Sequence, residues 1–196
     1  MPCRSSDEAA SRHLPPRRRI FLGCEGESEQ GYGALLSRIA EERGLHLAPQ
    51  IVLLRPGGGD PLALVQQAVA KIHEDERKRG AFSIKAVLLD QDKLGQSPER
   101  DRLLYAEATQ SDLQLIWQGP SHEALLLRHL PGCQNLRPAT TLMAEQELIR
   151  RWPEYRKPMS AMRLATRIGI EEVTAACGVE QHLCEFLRRC GLLPEE

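Results

Sequence analysis

Ile20-Phe21-Leu22-Gly23-Cys24-Glu25-Gly26-Glu27-Ser28-Glu29 is the stretch on which the fold turns. Its first half is an apolar run with no polar alternation, the pattern of a strand buried on both faces, as in a parallel sheet. Its second half turns abruptly to acid and glycine. Outward from it, residues 29–43 have the spacing of a helix with Leu35, Leu36 and Ile39 inward, and Ser28 is placed to cap it. Ile51-Val52-Leu53-Leu54 reads as a second strand and Gly57-Gly58-Gly59 as a turn. Asp60-Pro61 then opens a helix, with Asp60 as N-cap, Pro61 at the first helical position and Leu62, Val65, Val69 and Ile72 on one face. Ile84 to Leu89 is a third strand, 98–110 a polar helix and Leu113 to Trp117 a fourth strand.

Four strands separated by helices predict an α/β domain: a four-stranded parallel sheet with helices on both faces. Beyond Gly119-Pro120 the pattern is helical, near 121–130, 139–151, 160–168 and 179–190, punctuated by Pro131, Pro138, Pro153 and Pro158. The organisation is therefore an N-terminal arm (1–17), the α/β domain (18–131) and a helical C-terminal extension packed on it (132–196).

The 196 residues, 41% hydrophobic, are enough for a core without disulfides. With 26 basic against 27 acidic residues, a broad nucleic-acid-coating surface is not expected, though a local basic groove is compatible. No stretch has the roughly 20 apolar residues that span a bilayer, and the polar N-terminus has no secretory h-region, so the expectation is a cytoplasmic protein without a membrane partner. Arg17-Arg18-Arg19 could touch phosphate, but such runs are commonly just solvated. Six cysteines lack any Cys-x-x-Cys pair, and Cys190 shares a helical face with Leu183, Phe186 and Leu187, so packing rather than zinc accounts for it.

The chemistry lies at the ends of the strands. Ligands of open α/β sheets bind beyond the carboxyl ends of strands. Glu25 stands at one such end, with Gly26 permitting a tight turn and Glu29 in the first helical turn. The third strand closes on Asp90-Gln91-Asp92, whose two carboxylates face the same way if the chain stays extended. After the fourth strand come Ser121, a helix cap, and Glu123. Helix capping and the helix dipole account for one or two such acids. Acids at three of four strand ends make a site for a hard cation, Mg²⁺ or Mn²⁺. The second strand instead delivers Arg55-Pro56-Gly57-Gly58-Gly59-Asp60; Arg55, Gly58 and Gly59 are candidates for holding a phosphate, against a plain flexible turn. His122 and His129 read as surface or core histidines, since Leu126 occupies the position where a zinc-protease motif has its second histidine.

Glu25-Gly26-x-x-Glu29 followed by Asp90-x-Asp92 resembles the TOPRIM domain of topoisomerases, primases and OLD-family nucleases, and Ser121-x-Glu123 resembles the OLD type of that arrangement. The overall order is similar to the RloB-like group of bacterial defence-associated proteins, through Gly59-Asp60-Pro61, Pro120-x-x-Glu123 and Tyr155-x-Lys157, from about residue 18 to about residue 160. The chain departs from that group at Gln91 and at His122-Glu123-Ala124. The resemblance implies a TOPRIM-like sheet and a Mg²⁺- or Mn²⁺-dependent nuclease that hydrolyses DNA or RNA phosphodiesters in anti-phage defence, with room for a partner protein such as an ATPase. It also implies roles: Glu25, Glu29, Asp90 and Asp92 on metal, Glu123 on a second metal position, Ser121 orienting a water or ligand, and Lys157 neutralising charge on the phosphate. Rival readings are an enzyme acting on a small nucleotide and a non-catalytic metal- or nucleotide-binding module of a defence complex.

Overall fold

The computed structural model describes residues 16–54 and 59–194. Arg55, Gly57 and Gly58, together with the arm up to residue 15, lie outside the described residues. Among those described, the order is β1 (Arg18–Cys24), α1 (Glu27–Glu42), β2 (Leu47–Leu53), α2 (Pro61–Arg79), β3 (Ile84–Asp90), a 3-10 turn at Gln91–Lys93, α3 (Pro98–Gln110) and β4 (Gln114–Gln118). Four further long helices and one short one follow: α4 (His122–His129), α5 (Thr141–Arg151), α6 (Ala161–Leu164, the short one), α7 (Ile170–Cys177) and α8 (Gln181–Cys190).

The sheet is parallel throughout, in the order β2-β1-β3-β4. Alternation along the central strands sorts side chains to two faces. Ile20, Leu22 and Cys24 of β1, with Ile84, Ala86 and Leu88 of β3, pack under α1, α4 and the C-terminal helices. Phe21, Val87 and Leu89 face the other way, onto Leu62, Val65 and Val69 of α2 and Leu104 of α3. The fold class is therefore α/β, with helices on both faces of the sheet and a helical C-terminal region.

Because α1 and α2 cover opposite faces, the chain leaves β1 in one direction to form β2 and returns past it to form β3. The carboxyl ends of β1 and β3 are thus the topological switch point of the sheet. The residues after residue 131 are not peripheral to this core: Leu148, Trp152, Tyr155, Leu164, Leu187 and Leu192 belong to the same buried cluster as β1 and α1. Helix α4 is buried on every side, with all eight residues inside. Its Arg128 pairs in the interior with Glu180 and donates to the Gly119 carbonyl at 2.9 Å, tying α4, the start of α8 and the loop after β4 together. Breaking such a buried pair from one side typically costs about 3–5 kcal/mol.

Several local expectations are corrected. β2 starts at Leu47 rather than Ile51 and contains Pro49, which is tolerated because β2 is an edge strand and the missing N–H costs it no ladder bond there. The N-cap residue of α1 is Gly26, so Ser28 lies inside the helix and caps nothing. Asp60 occupies the N-cap position of α2, but its carboxylate makes no cap bond and pairs with Arg100 of α3 instead. The segment expected to be helical over 160–168 is helical only at Ala161–Leu164, and Ile170–Cys177 is a further helix outside the expected ones. Its eight residues are too few to show periodicity; the local signal is the Gly169 N–H donating to Glu172 Oε2 at 2.9 Å. The basic triplet is not simply solvated: Arg18 donates to the carbonyl of Cys190 at 2.8 Å, and Arg19 pairs with Asp75 and lies 4.1 Å over the Phe82 ring. Cys24, Cys133, Cys177, Cys184 and Cys190 are buried free thiols, with Cys190 packed among Leu183, Phe186 and Leu187.

His129 is fully buried, its Nδ1 donating to the Leu125 carbonyl at 2.8 Å and its Nε2 accepting from the Tyr32 hydroxyl at 2.9 Å. Burial holds the ring down to about 4, below its ordinary 6.5. Between those values the unfolded chain carries a proton that the folded chain does not, so stability falls as pH drops through the window. His122, held down to about 4 by burial as well, adds in the same direction. Carboxyls raised by burial act the other way over the same window and are common to both chains, so the histidine is read as a difference: in thermal melts taken from about pH 6.5 down to about pH 4, His129→Gln should lose less melting temperature, or gain more, than wild type. An unchanged slope removes His129 as a titrating group.

Candidate acidic site at the switch point

The register between β1 and β3 brings Cys24 opposite Leu88, so the next residues of both strands emerge side by side. Glu25 turns back across β3, where its Oε2 accepts from the Asp90 N–H at 3.4 Å. β4 pairs with β3 up to Asp90–Gln118, and the loop that follows is laced to the end of β3. The Gln91 N–H donates to the Pro120 carbonyl at 3.2 Å, and the His122 N–H, in the first turn of α4, donates to Asp90 Oδ1 at 2.9 Å. A helix N-terminus is a natural partner for that carboxylate.

Glu29 lies in the first turn of α1 and is buried at 5% exposure. Asp92 is nearby but differs from expectation. It sits exposed on the 3-10 turn, so strand alternation ends at Asp90 and does not carry both aspartates to one face. Ser121 occupies the N-cap position of α4 without capping it. Its Oγ donates to Glu123 Oε2 at 2.8 Å. Lys157 lies on a non-helical stretch before Pro158, and its Nζ is 2.7 Å from Glu123 Oε1 and 3.9 Å from Glu145 Oε1. Gly59, with φ of +64°, lies against Lys93: a Cβ there would stand 3.1 Å from Lys93 Nζ and 3.8 Å from Glu25 Oε1. It therefore belongs to the rim of the same site, and a side chain there would meet both strained backbone and the lysine.

Two residues have roles that only the fold shows. Tyr155 was visible only as part of Tyr-x-Lys; in the fold its buried hydroxyl donates to Glu123 Oε1 at 3.1 Å. Gly31 carried no signal beyond being a helical glycine, yet a Cβ there would meet the Met159 carbonyl at 1.9 Å. That backbone contact seats the stretch carrying Lys157 on α1.

Glu123, Glu25, Glu29 and Asp90 fall into two electrostatic groups. Glu123 is fully satisfied: burial, which favours its neutral form, is outweighed by the hydrogen bonds from Lys157 and Ser121, and its carboxyl is held below the ordinary value. Lys157 responds in kind; burial works against its charge, but Glu123, Glu145 and Asp90 together hold its ammonium above the ordinary value. The other group is under-compensated. Burial and the Glu29 and Asp92 charges push Glu25 up. Burial and Glu123 push Glu29 up. Asp90 is pushed up to about 9 by burial and by the charges of Glu29, Glu25, Glu123 and Asp92. All the donors are hard carboxylate oxygens and the charge is in excess, which fits a divalent cation of the magnesium or manganese kind in donor type and sign. The fit is one of chemistry rather than of finished geometry, for among the described residues no three His, Cys, Asp or Glu side chains converge to hold an ion.

Asp90 generates a test of this electrostatic account. Its folded carboxyl keeps a proton that the unfolded chain, titrating at 3.8, gives up. The folded state therefore binds more protons between those values, and stability falls as pH rises from about 4 toward about 9. In chelator, Asp90→Asn should raise the melting temperature at pH 8 and flatten its decline with pH. A variant that melts lower than wild type at pH 8 with the same slope contradicts the repulsion.

The chain was also compared with family models, curated proteins and solved structures, and nothing in any of the three matches it.

Proposed function

We propose that this chain is a metal-dependent nuclease that hydrolyses nucleic-acid phosphodiester bonds, in the manner its TOPRIM-like and RloB-like motifs imply, within a bacterial anti-phage system. The observation that carries the reading is the gathering of Glu25, Glu29, Asp90, Asp92 and Glu123 around the switch point. They come from the turn after β1, α1, the end of β3, the 3-10 turn and α4, and Lys93 and Lys157 are cations that stand against them. A protein gains nothing in stability by burying uncompensated carboxylates together; a bound cation removes the repulsion and gives the cluster a use.

In this reading Glu25, Glu29, Asp90 and Asp92 would hold Mg²⁺ or Mn²⁺, with Glu123 beside a second position. When bound, such an ion would supply charge neutralisation and lower the pKa of a water. The residues of the chain do the rest. The α4 N-terminus fixes Asp90 through the His122 N–H. Glu123, held by Ser121 and Tyr155, presents the Lys157 ammonium beside the acids, where it would neutralise charge growing on the phosphate oxygens. Gly59 keeps the rim open for the approach of a strand, and Arg55 and Gly58, close to it in sequence, are further candidates for contact with it.

A second reading, a non-catalytic metal- or nucleotide-binding module of a defence complex, is favoured by one observation. Both oxygens of Glu123 are already occupied, by Ser121 on one side and by Tyr155 and Lys157 on the other. The two readings separate in a nuclease panel of single- and double-stranded DNA and RNA with Mg²⁺ or Mn²⁺. Cleavage by wild type and none by Asp90→Ala is the expected result. Lys157→Ala should lower turnover by about 10²-fold or more while calorimetry finds the Mn²⁺ affinity within about twofold, because the lysine acts on phosphate and not on the ion. Metal binding without cleavage of any substrate would favour the second reading.

A further inference from the structure

The near-neutral total conceals a strong local asymmetry. Of the chain's 26 basic and 27 acidic residues, seven basic and three acidic fall between residues 137 and 167, leaving nineteen and twenty-four elsewhere. The basic ones are mostly on the surface: Arg137, Arg150, Arg156, Lys157, Arg163 and Arg167 are exposed. Arg150 shares Glu147 with Arg151, and Arg167 reaches Glu154 at 3.6 Å. Arg137 and Arg156, by contrast, donate to backbone carbonyls, and among the described residues Arg163 makes no ion pair. The same segment also exposes apolar side chains, Leu142, Met143 and Met162 at 63%, 51% and 75%.

This segment adjoins the acidic site in two places. Lys157 enters it through Glu123. A groove of about 570 Å³ also runs between Gln91, Asp92 and Gly95 on one wall and Arg137, Pro138 and Ala139 on the other. A basic approach leading to an acidic floor suits a polyanion whose backbone must be held while one of its phosphates is brought to a cation. We propose that residues 137–167 are the docking surface for a nucleic-acid phosphodiester backbone, which passes from Arg163 and Arg156 toward Arg137 and the groove at Asp92. The inference rests on the nuclease reading and gives the C-terminal helices their part in it. A lipid surface is the weaker match, since a flat anionic sheet does not enter a groove with an acidic wall.

The test is fluorescence anisotropy with labelled 20-nucleotide DNA and RNA, single-stranded and duplex, in the Asp90→Asn chain so that binding is read without turnover. Arg156→Glu with Arg163→Glu should weaken binding at least tenfold. It should also lower the slope of log Kd against log salt by about 1.4 to 1.8, the loss expected for two phosphate contacts. Arg137→Glu alone should weaken binding in the same direction. Arg77→Glu with Lys78→Glu, an equal charge change in the last turn of α2 at the far end of the sheet, should change it less than twofold. The preferred strand type among the four names the substrate. Equal loss in the control, no loss in either test variant, or loss of binding to phosphatidylserine vesicles without loss of binding to nucleic acid would each overturn the proposal. Docking through this face by a wild-type chain that cleaves nothing would end the nuclease reading and leave this one standing. Cleavage undiminished by the charge reversals would do the opposite.

Discussion

Strand β1 pairs with β2 on one side and β3 on the other, and this double pairing governs the rest of the molecule. It forces α1 and α2 onto opposite faces, because each crossover must cover the side of the sheet on which it returns. It also opens a crevice where the two crossovers part, bordered by the carboxyl ends of β1 and β3. Everything with chemical character follows from that crevice. Glu25 and Asp90 are adjacent because their strands are adjacent, and not because they are near in sequence.

The C-terminal region has two kinds of work. Its apolar residues complete the core on the α1 face, with Trp152, Tyr155, Leu164 and Leu187 buried in one cluster with β1 and α1. Its polar residues reach around α4 to the switch point, where Tyr155 and Lys157 both meet Glu123. With Ser121, Tyr155 and Lys157 as donors, the Glu123 carboxylate is favoured in its charged form. Its neighbours Asp90, Glu25 and Glu29, short of donors and partly desolvated, are pushed toward protonation. The contrast between a charge-compensated acid and under-compensated ones within a single cluster is what makes the site electrostatically directional.

The four strands, the long helices between them and the helical nature of the C-terminal region were legible in the sequence, because their signals are local: apolar runs such as Val87-Leu88-Leu89, the Pro61 and Pro98 helix starts, the glycine breaks. Cap chemistry was less legible. Ser28, Asp60 and Ser121 all have the right residue type, yet none caps by its side chain, since a competing partner or a shifted boundary decides the matter. Asp92 was misplaced for a similar reason: whether a strand continues two residues further depends on whether a neighbour remains to pair with it.

By itself the sequence determined which residues could be buried and where strands would release acids, because hydrophobic period and residue type are properties of short segments. Only the tertiary structure decided which of those acids are near one another, how they divide into compensated and under-compensated, and what Gly31, Tyr155 and Arg128 contribute. These are facts about distance between segments far apart in the chain. Strand order and helix packing set such distances, and a one-dimensional pattern does not contain them.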